Sequence, residues 1–144
     1  MIYVPMIYVL DTDIAGFWQQ AHPAVLARAQ QLPRGTNIAS TVITFGEDLG
    51  GWLPACRRAK NSFERALAYQ SMSEGLAFYR QITCLPFNET AAQIFEQLRK
   101  QDRRIGTNDL AIAAIVLSVN GILVTRNFVD FMRVPNLVIE DWTK

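Results

Sequence analysis

Residues 6–13 read MIYVLDTD, an apolar run with β-branched members that stops abruptly at two carboxylates, Asp11 and Asp13, on either side of Thr12. A strand buried on both faces of a parallel sheet has this continuous apolar character. Its C-terminal end would deliver the acids to the sheet edge where open α/β sheets bind ligands. No basic residue precedes Arg28. Two carboxylates so placed repel each other unless a cation lies between them, which points to a Mg²⁺ or Mn²⁺ site.

The rest of the chain alternates helix and strand signals. Helices are expected over Ile14–Trp18 and Pro23–Leu32, the second with Pro23 in its first turn and Pro33 beyond its end. Asn37–Ala39 suits a short strand, after which Ser40 is placed to cap a helix from Thr41 to about Gly50, where Gly50–Gly51 weakens it. Pro54 fits the first turn of another helix, and residues 55–80 read as largely helical with a break near Ser73–Gly75. Ile82–Phe87 reads as a strand. Asn88 then caps a helix whose Ala91, Ile94, Phe95 and Leu98 recur at helical spacing. Arg99–Thr107 reads as a charged loop. Asn108 is expected to cap the apolar helix DLAIAAIVLSV, which ends at Asn120–Gly121 with glycine just past the cap. Ile122–Thr125 and Leu137–Glu140 supply the last strands. This alternation predicts an α/β fold, with a mostly parallel central sheet flanked by helices. At 144 residues the chain suits a single domain over 1–144. MIYV occurs at 1–4 and again at 6–9, around Pro5, so residues 1–5 are expected to be an N-terminal extension.

Composition narrows the function classes. The 14 basic and 13 acidic residues nearly cancel, so net charge does not announce a nucleic-acid binder. Nine of the basic residues, however, fall between Arg57 and Arg104 alongside five acids, as solvated helix faces or a phosphate-contacting surface. Two cysteines, Cys56 and Cys84, are too few for a disulfide scaffold or a zinc cluster. The single His22 excludes a His-based triad together with most zinc chemistry. No signal peptide is evident, and no apolar run approaches the roughly 20 residues of a membrane span, so the expected setting is a reducing cytoplasm.

Four places bring acids beside apolar packing: Asp11 with Asp13, Glu47 with Asp48, Asp109, and Asp130 after Asn127. Each has a plain structural alternative. Asp13 suits the cap of a helix, Asp109 favours a helix dipole, Asp130 fits a turn, and Glu47 or Asp48 suits a solvated helix face. Taken together they say more. In a parallel sheet, strand ends and helix N-termini gather at one edge, which should unite Asp11, Asp109 and the Asn127 loop. Clustered carboxylates suit hard divalent cations, which activate water and stabilise in-line phosphoryl displacement.

The stretches YVLDTDI (8–14), STVITFGEDLGG (40–51), TNDLAIAAIVLSVNGILVTRN (107–127) and DFMRVPNLVIEDW (130–142) resemble PIN-domain ribonucleases of the VapC toxin type. They fall in order and cover nearly the whole chain. The ND-x-x-IAA helix followed by LVTRN-x-x-DF and the terminal EDW carries most of the specificity. The resemblance implies a Mg²⁺- or Mn²⁺-dependent endoribonuclease. It places Asp11, Glu47 and Asp109 on three family acids and Asn127 on the fourth position, with Asp130 three residues on. Metal ligation is implied for Asp11 and Asp109, and for Glu47 directly or through water. Asp13, Thr12, Thr125 and Asp130 are supporting candidates, and Arg126 is a candidate for substrate phosphate. The resemblance also implies a VapB-like antitoxin partner, operator DNA bound only through that antitoxin, and tRNA or rRNA as substrate. Trp18, Phe45, Trp52, Leu53, Phe63 and Tyr69 supply apolar bulk on the early helices for an antitoxin groove and a homodimer face.

Two rival classes fit parts of the sequence. A D-x-D phosphatase of the haloacid-dehalogenase kind would use the first Asp as nucleophile, but wants a Lys near the phosphate, and the chain has only Lys60, Lys100 and Lys144. A catalytically silent PIN-like module, or a receiver-type phosphoswitch, would keep the fold without metal-dependent cutting.

Overall fold

The computed structural model describes residues 6–144; the expected extension over residues 1–5 lies outside them. The strands are β1 (Ile7–Leu10), β2 (Asn37–Thr41), β3 (Thr83–Leu85), β4 (Ile122–Val124) and β5 (Val138–Glu140). They form one all-parallel sheet in the order β3-β2-β1-β4-β5. The helices are α1 (Thr12–Gln19), α2 (Pro23–Gln30), α3 (Val42–Arg58), α4 (Ser62–Gln81), α5 (Glu89–Gln101), α6 (Thr107–Ser118) and α7 (Phe128–Phe131). The expected α/β architecture is what the chain adopts.

Strand alternation divides the core into two layers. Val9 and Leu123 face Leu98, Leu110, Ile112 and Val116 of α5 and α6. Tyr8, Leu10, Ile122 and Val124 face Ile14, Val25, Phe78 and Trp142 on the other side. With both faces covered, the middle strands are apolar throughout, which is why MIYVL and ILV carry no polar alternation. In α6, Leu110 to Val116 are all buried, so a helix apolar on every side is here a helix enclosed on every side. The chain builds β1, β2 and β3 outward in one direction, then returns to place β4 and β5 on the other side of β1. The resulting switch point lies between β1 and β4, where doubly wound sheets open a crevice at their C-terminal edge.

Several local expectations are corrected. Thr41, not Ser40, caps the helix after β2: its Oγ1 accepts the Thr44 N–H at 3.1 Å, while Ser40 Oγ donates to the Leu10 carbonyl at 2.8 Å. The helix α3 runs through Gly50–Gly51 and Pro54 to Arg58, because packing against α4 and α1 outweighs local propensity. The break falls instead at residues 59–61, and α4 passes unbroken through Ser73–Gly75. Gly75 is there for close approach: a Cβ on it would overlap the Trp52 indole of α3. At the end of α6, Asn120 rather than Gly121 adopts the left-handed conformation, φ 52°. The Asn120 and Gly121 N–H groups donate to the Leu117 and Val116 carbonyls, closing a Schellman end. Gly121 serves a different need, since a Cβ on it would lie 3.1 Å from the Ile7 carbonyl oxygen. Gly106, not Asn108, precedes the first residue of α6, and the charged segment after Arg99 is helical to Gln101. The short α7 has no counterpart in the sequence reading. Asn88 caps α5 as anticipated, its Oδ1 accepting the Ala91 N–H at 3.0 Å.

Candidate active site

Asp11 is the single residue between β1 and α1, and Thr125 directly follows β4. The parallel pairing of Leu10 with Val124 sets them side by side at the switch point. Thr125 Oγ1 donates to Asp11 Oδ2 at 2.7 Å, and both side chains are buried. Burial is the main force on Asp11. With added repulsion from Asp13 and Asp109, and despite the Thr125 bond, its carboxyl is pushed up to about 7. Thr125 Oγ1 also accepts the Asn127 N–H at 2.9 Å, which ties the loop after β4 to the same carboxylate.

Asp109 stands in the first turn of α6 and is half-buried. Asn127 caps α7, and its Nδ2 lies 3.2 Å from Asp130 Oδ2 and 3.4 Å from Asp109 Oδ2. One amide thus spans two carboxylates that would otherwise face each other. Burial raises the Asp109 carboxyl, and the charges of Asp130, Glu47 and Asp13 raise it further. The topology argument placed Asp11, Asp109 and the Asn127 loop at one edge; the Asn127 amide joins Asp109 to Asp130 there, and the Glu47 charge also acts on Asp109.

Glu47 reaches the cleft from α3 and accepts a 2.8 Å bond from Thr12 Oγ1. Asp13 is held differently. Its Oδ1 accepts the Ile14 N–H at 2.7 Å and its Oδ2 accepts the Arg126 N–H at 3.1 Å, so it braces the loop after β4 within a helix that already began at Thr12. Burial raises Asp13, opposed by those two bonds and by the Arg126 charge. The exposed Arg126 guanidinium lies 5.8 Å above the Phe17 ring, on the Asp13 side of the cleft. Asp48 points away from the cluster and accepts the Tyr79 hydroxyl at 2.5 Å. Sequence reasoning passed over three further residues. Thr44, three residues before Glu47 on the same helix, bonds to Thr12; the T-x-x-E spacing was the available signal. Thr41 lies behind it. Arg99 donates to the Ile105 carbonyl and to Thr107 Oγ1, both at 3.1 Å, and so clasps the entrance to α6.

Among the described residues, no three acidic, cysteine or histidine side chains converge tightly enough to cage an ion alone. What the cleft offers is oxygen donors whose charges raise one another's affinity for protons. That set fits a hard cation held by one or two carboxylates and its own water shell. Of the three lysines, Lys60 follows α3 and Lys100 lies within α5, while Lys144 lies past the end of β5, where its charge acts on Asp141.

Beside the cleft, a cavity of about 490 Å³ between α1, α3 and α4 is lined by Trp18, Trp52, Phe78, Asp48 and Glu74. A second, of about 340 Å³, shares Trp18 and Gln81 with it and continues to the starts of β2 and β3. Phe45 packs edge-on against Tyr79 at 5.1 Å, whereas Phe63, Leu67 and Tyr69 of α4 are exposed.

A doubly wound parallel sheet with carboxylates at its switch point defines an α/β protein of the kind that binds its ligand in the crevice at the C-terminal sheet edge. No family model matches the chain. It is 32% identical over 143 residues to Ribonuclease VapC1 of Haemophilus influenzae, spanning 96% of this chain and all of that one. Ribonuclease VapC2 of Rickettsia felis is 28% identical, again over 96% of this chain and the whole relative. Among solved structures, VapBC2 from Rickettsia felis bound to a promoter DNA fragment superposes with a TM-score of 0.79 at 28% identity, covering 95% of this chain and 99% of that one. VapBC-1 from nontypeable Haemophilus influenzae gives 0.78 at 30%, covering 96% and 100%. The chain belongs to the VapC ribonuclease family.

Proposed function

We propose that this chain is the toxin of a toxin–antitoxin pair, an endoribonuclease that hydrolyses RNA phosphodiesters at the acidic cleft with Mg²⁺ or Mn²⁺ bound there. What supports the reading is a VapC-family fold in which Asp11 bonds Thr125 at the switch point, Glu47 bonds Thr12 beside it, and the Asn127 amide lies between Asp109 and Asp130. Asp11 and Asp109 would hold the ion, with Glu47 bound directly or through water. When bound, the ion supplies charge neutralisation and an activated water for in-line displacement. The chain's own groups prepare the cleft. Thr125 fixes the Asp11 carboxylate, Thr12 fixes Glu47, and the Asn127 amide separates Asp109 from Asp130. Asp13 pins the loop that carries Arg126, the exposed cation assigned to the substrate phosphate beside the cut.

The partner follows from the same family. Two relatives of known structure, at 28% and 30% identity, are VapBC complexes, the first bound to promoter DNA. One relative, from Shigella flexneri, is named a tRNA(fMet)-specific endonuclease. For this chain the reading is a VapB-like antitoxin seated along the Trp18–Trp52 groove, operator DNA reached only through it, and a structured RNA such as tRNA or rRNA as substrate. The exposed Phe63, Leu67 and Tyr69 on α4 are assigned to a homodimer face; a monomer by light scattering at high concentration removes that assignment.

The test is cleavage of a tRNA panel and total RNA by antitoxin-free protein in Mg²⁺, Mn²⁺ or EDTA, beside Asp11→Asn. Metal-dependent cutting that the variant lacks is the expected result. Folded protein that cuts nothing with either metal would turn the reading to a silent RNA-binding module.

A further inference from the structure

Glu47 is exposed, yet a line of hydroxyls running out of the core sets its direction. Thr12 Oγ1 donates to Glu47 Oε1 at 2.8 Å, and Thr44 Oγ1 lies 3.1 Å from Thr12 Oγ1. A threonine hydroxyl has one proton to give. Since that of Thr12 goes to Glu47, Thr44 is the donor between the two threonines. Thr41 Oγ1 in turn donates to Thr44 Oγ1 at 3.4 Å. All three bonds point one way, toward the carboxylate, and the two inner hydroxyls are wholly buried where no solvent competes. The far end of the line is also fixed: the Thr44 backbone N–H donates to Thr41 Oγ1 at 3.1 Å, and Thr41 ends β2. The near end opens on the cleft, where the Glu47 charge acts on Asp109.

We propose that the Thr44 side chain is a positioning residue for Glu47: by donating to Thr12 it holds that hydroxyl, and through it the Glu47 carboxylate, aimed into the metal cleft. This rests on the reading of Glu47 as part of the metal site. The helix cap does not need the Thr44 hydroxyl, because the capping bond uses the Thr44 backbone N–H. Removing the hydroxyl therefore leaves the capping bond in place, although it takes the acceptor from the buried Thr41 hydroxyl. Valine at this position keeps the β-branched shape and the backbone bond. It leaves Thr12 without its donor, so the Thr12 hydroxyl turns freely and Glu47 loses its fixed aim.

The experiment compares Thr44→Val, Thr44→Ser and Glu47→Gln with the parent. Mn²⁺ binding is read by calorimetry without RNA, and cleavage is read as a function of metal concentration. Circular dichroism melting in EDTA reports folding, and Thr44→Ala replaces the valine variant if that one does not fold. For groups that orient metal ligands, loss of the partner typically weakens the metal about tenfold; that loss is expected for Thr44→Val, with cutting recovered at saturating metal and Thr44→Ser restored to within about twofold. Parent-like Mn²⁺ binding and metal dependence in Thr44→Val, with both impaired in Glu47→Gln, would overturn the relay while leaving the site intact. If Glu47→Gln itself binds Mn²⁺ and cuts normally, the place of Glu47 in the metal site fails, and the relay with it.

Discussion

Replacing Asp11 by asparagine should make the metal-free protein more stable at alkaline pH. The carboxyl ordinarily ionises near 3.8 and in the fold is pushed up to about 7, mainly by burial. Between those two values the unfolded chain has released its proton while the folded chain keeps it. Stability therefore falls as pH rises through that window, and the penalty is complete above the folded value. The gap corresponds to on the order of 4 kcal/mol. The asparagine amide keeps an oxygen to accept the Thr125 hydroxyl at no ionisation cost, so a gain of about 2–4 kcal/mol is expected. For a chain of this size that is a rise of roughly 5–15 °C in Tm. The assay is thermal unfolding of both proteins in EDTA at about pH 8 and again near pH 4, where the difference should close. Adding Mg²⁺ or Mn²⁺ should then raise the Tm of the parent far more than that of the variant, by about 1.4 kcal/mol of stability at ten times the dissociation constant. If Asp11→Asn melts no higher than the parent at alkaline pH, or if the gap does not depend on pH, the buried carboxylate carries no such penalty and the reasoning fails.

Three further outcomes follow from the geometry. Asp109→Asn should abolish cleavage, as EDTA should, while leaving the circular dichroism spectrum unchanged; full metal-dependent activity in that variant would remove Asp109 from the site. Gly75→Ala pits helix propensity, worth up to about 1 kcal/mol in its favour, against overlap with the Trp52 ring, and a net loss of about 1–3 kcal/mol in denaturant unfolding is expected. Arg99→Ala should cost about 1–2 kcal/mol of stability and slow cutting by loosening the start of α6, on which Asp109 stands, whereas a loss of stability with unchanged cutting would confine Arg99 to a structural role.

The fold was legible where burial wrote itself into composition. MIYVL, ILV and the enclosed helix from Leu110 to Val116 are apolar because both sides of each element are covered, and the run of residues shows it. The interior of the α3–α4 pair was not legible. Gly50–Gly51, Pro54 and Gly75 are local interrupters, and the packing of α3 against α4 and α1, with Trp52 seated on Gly75, explains why they interrupt nothing. Asp11, Asp109 and the Asn127 loop could be named in advance because strand ends and helix starts share an edge, and Glu47 through the family resemblance. Of their supports, Thr12, Thr125 and Asp13 could be named beside them, and others could not. Thr44, Thr41 and Arg99 act through partners whose proximity depends on the register of β1 against β2 and on the path of residues 102–106, and neither is written in any single stretch of sequence.

The junctions at this edge leave almost no slack. One residue separates β1 from α1, and Thr41 is at once the end of β2 and the cap of α3. An added or deleted residue at either place would turn the following side chains by about 100° around the helix, swinging the acid out of the cleft. Length changes in the turns at residues 31–36 and 59–61, away from these junctions, would leave that register untouched. Those two turns are places where a peptide tag, a fluorophore loop or a permuted terminus can be grafted with the cleft kept in register.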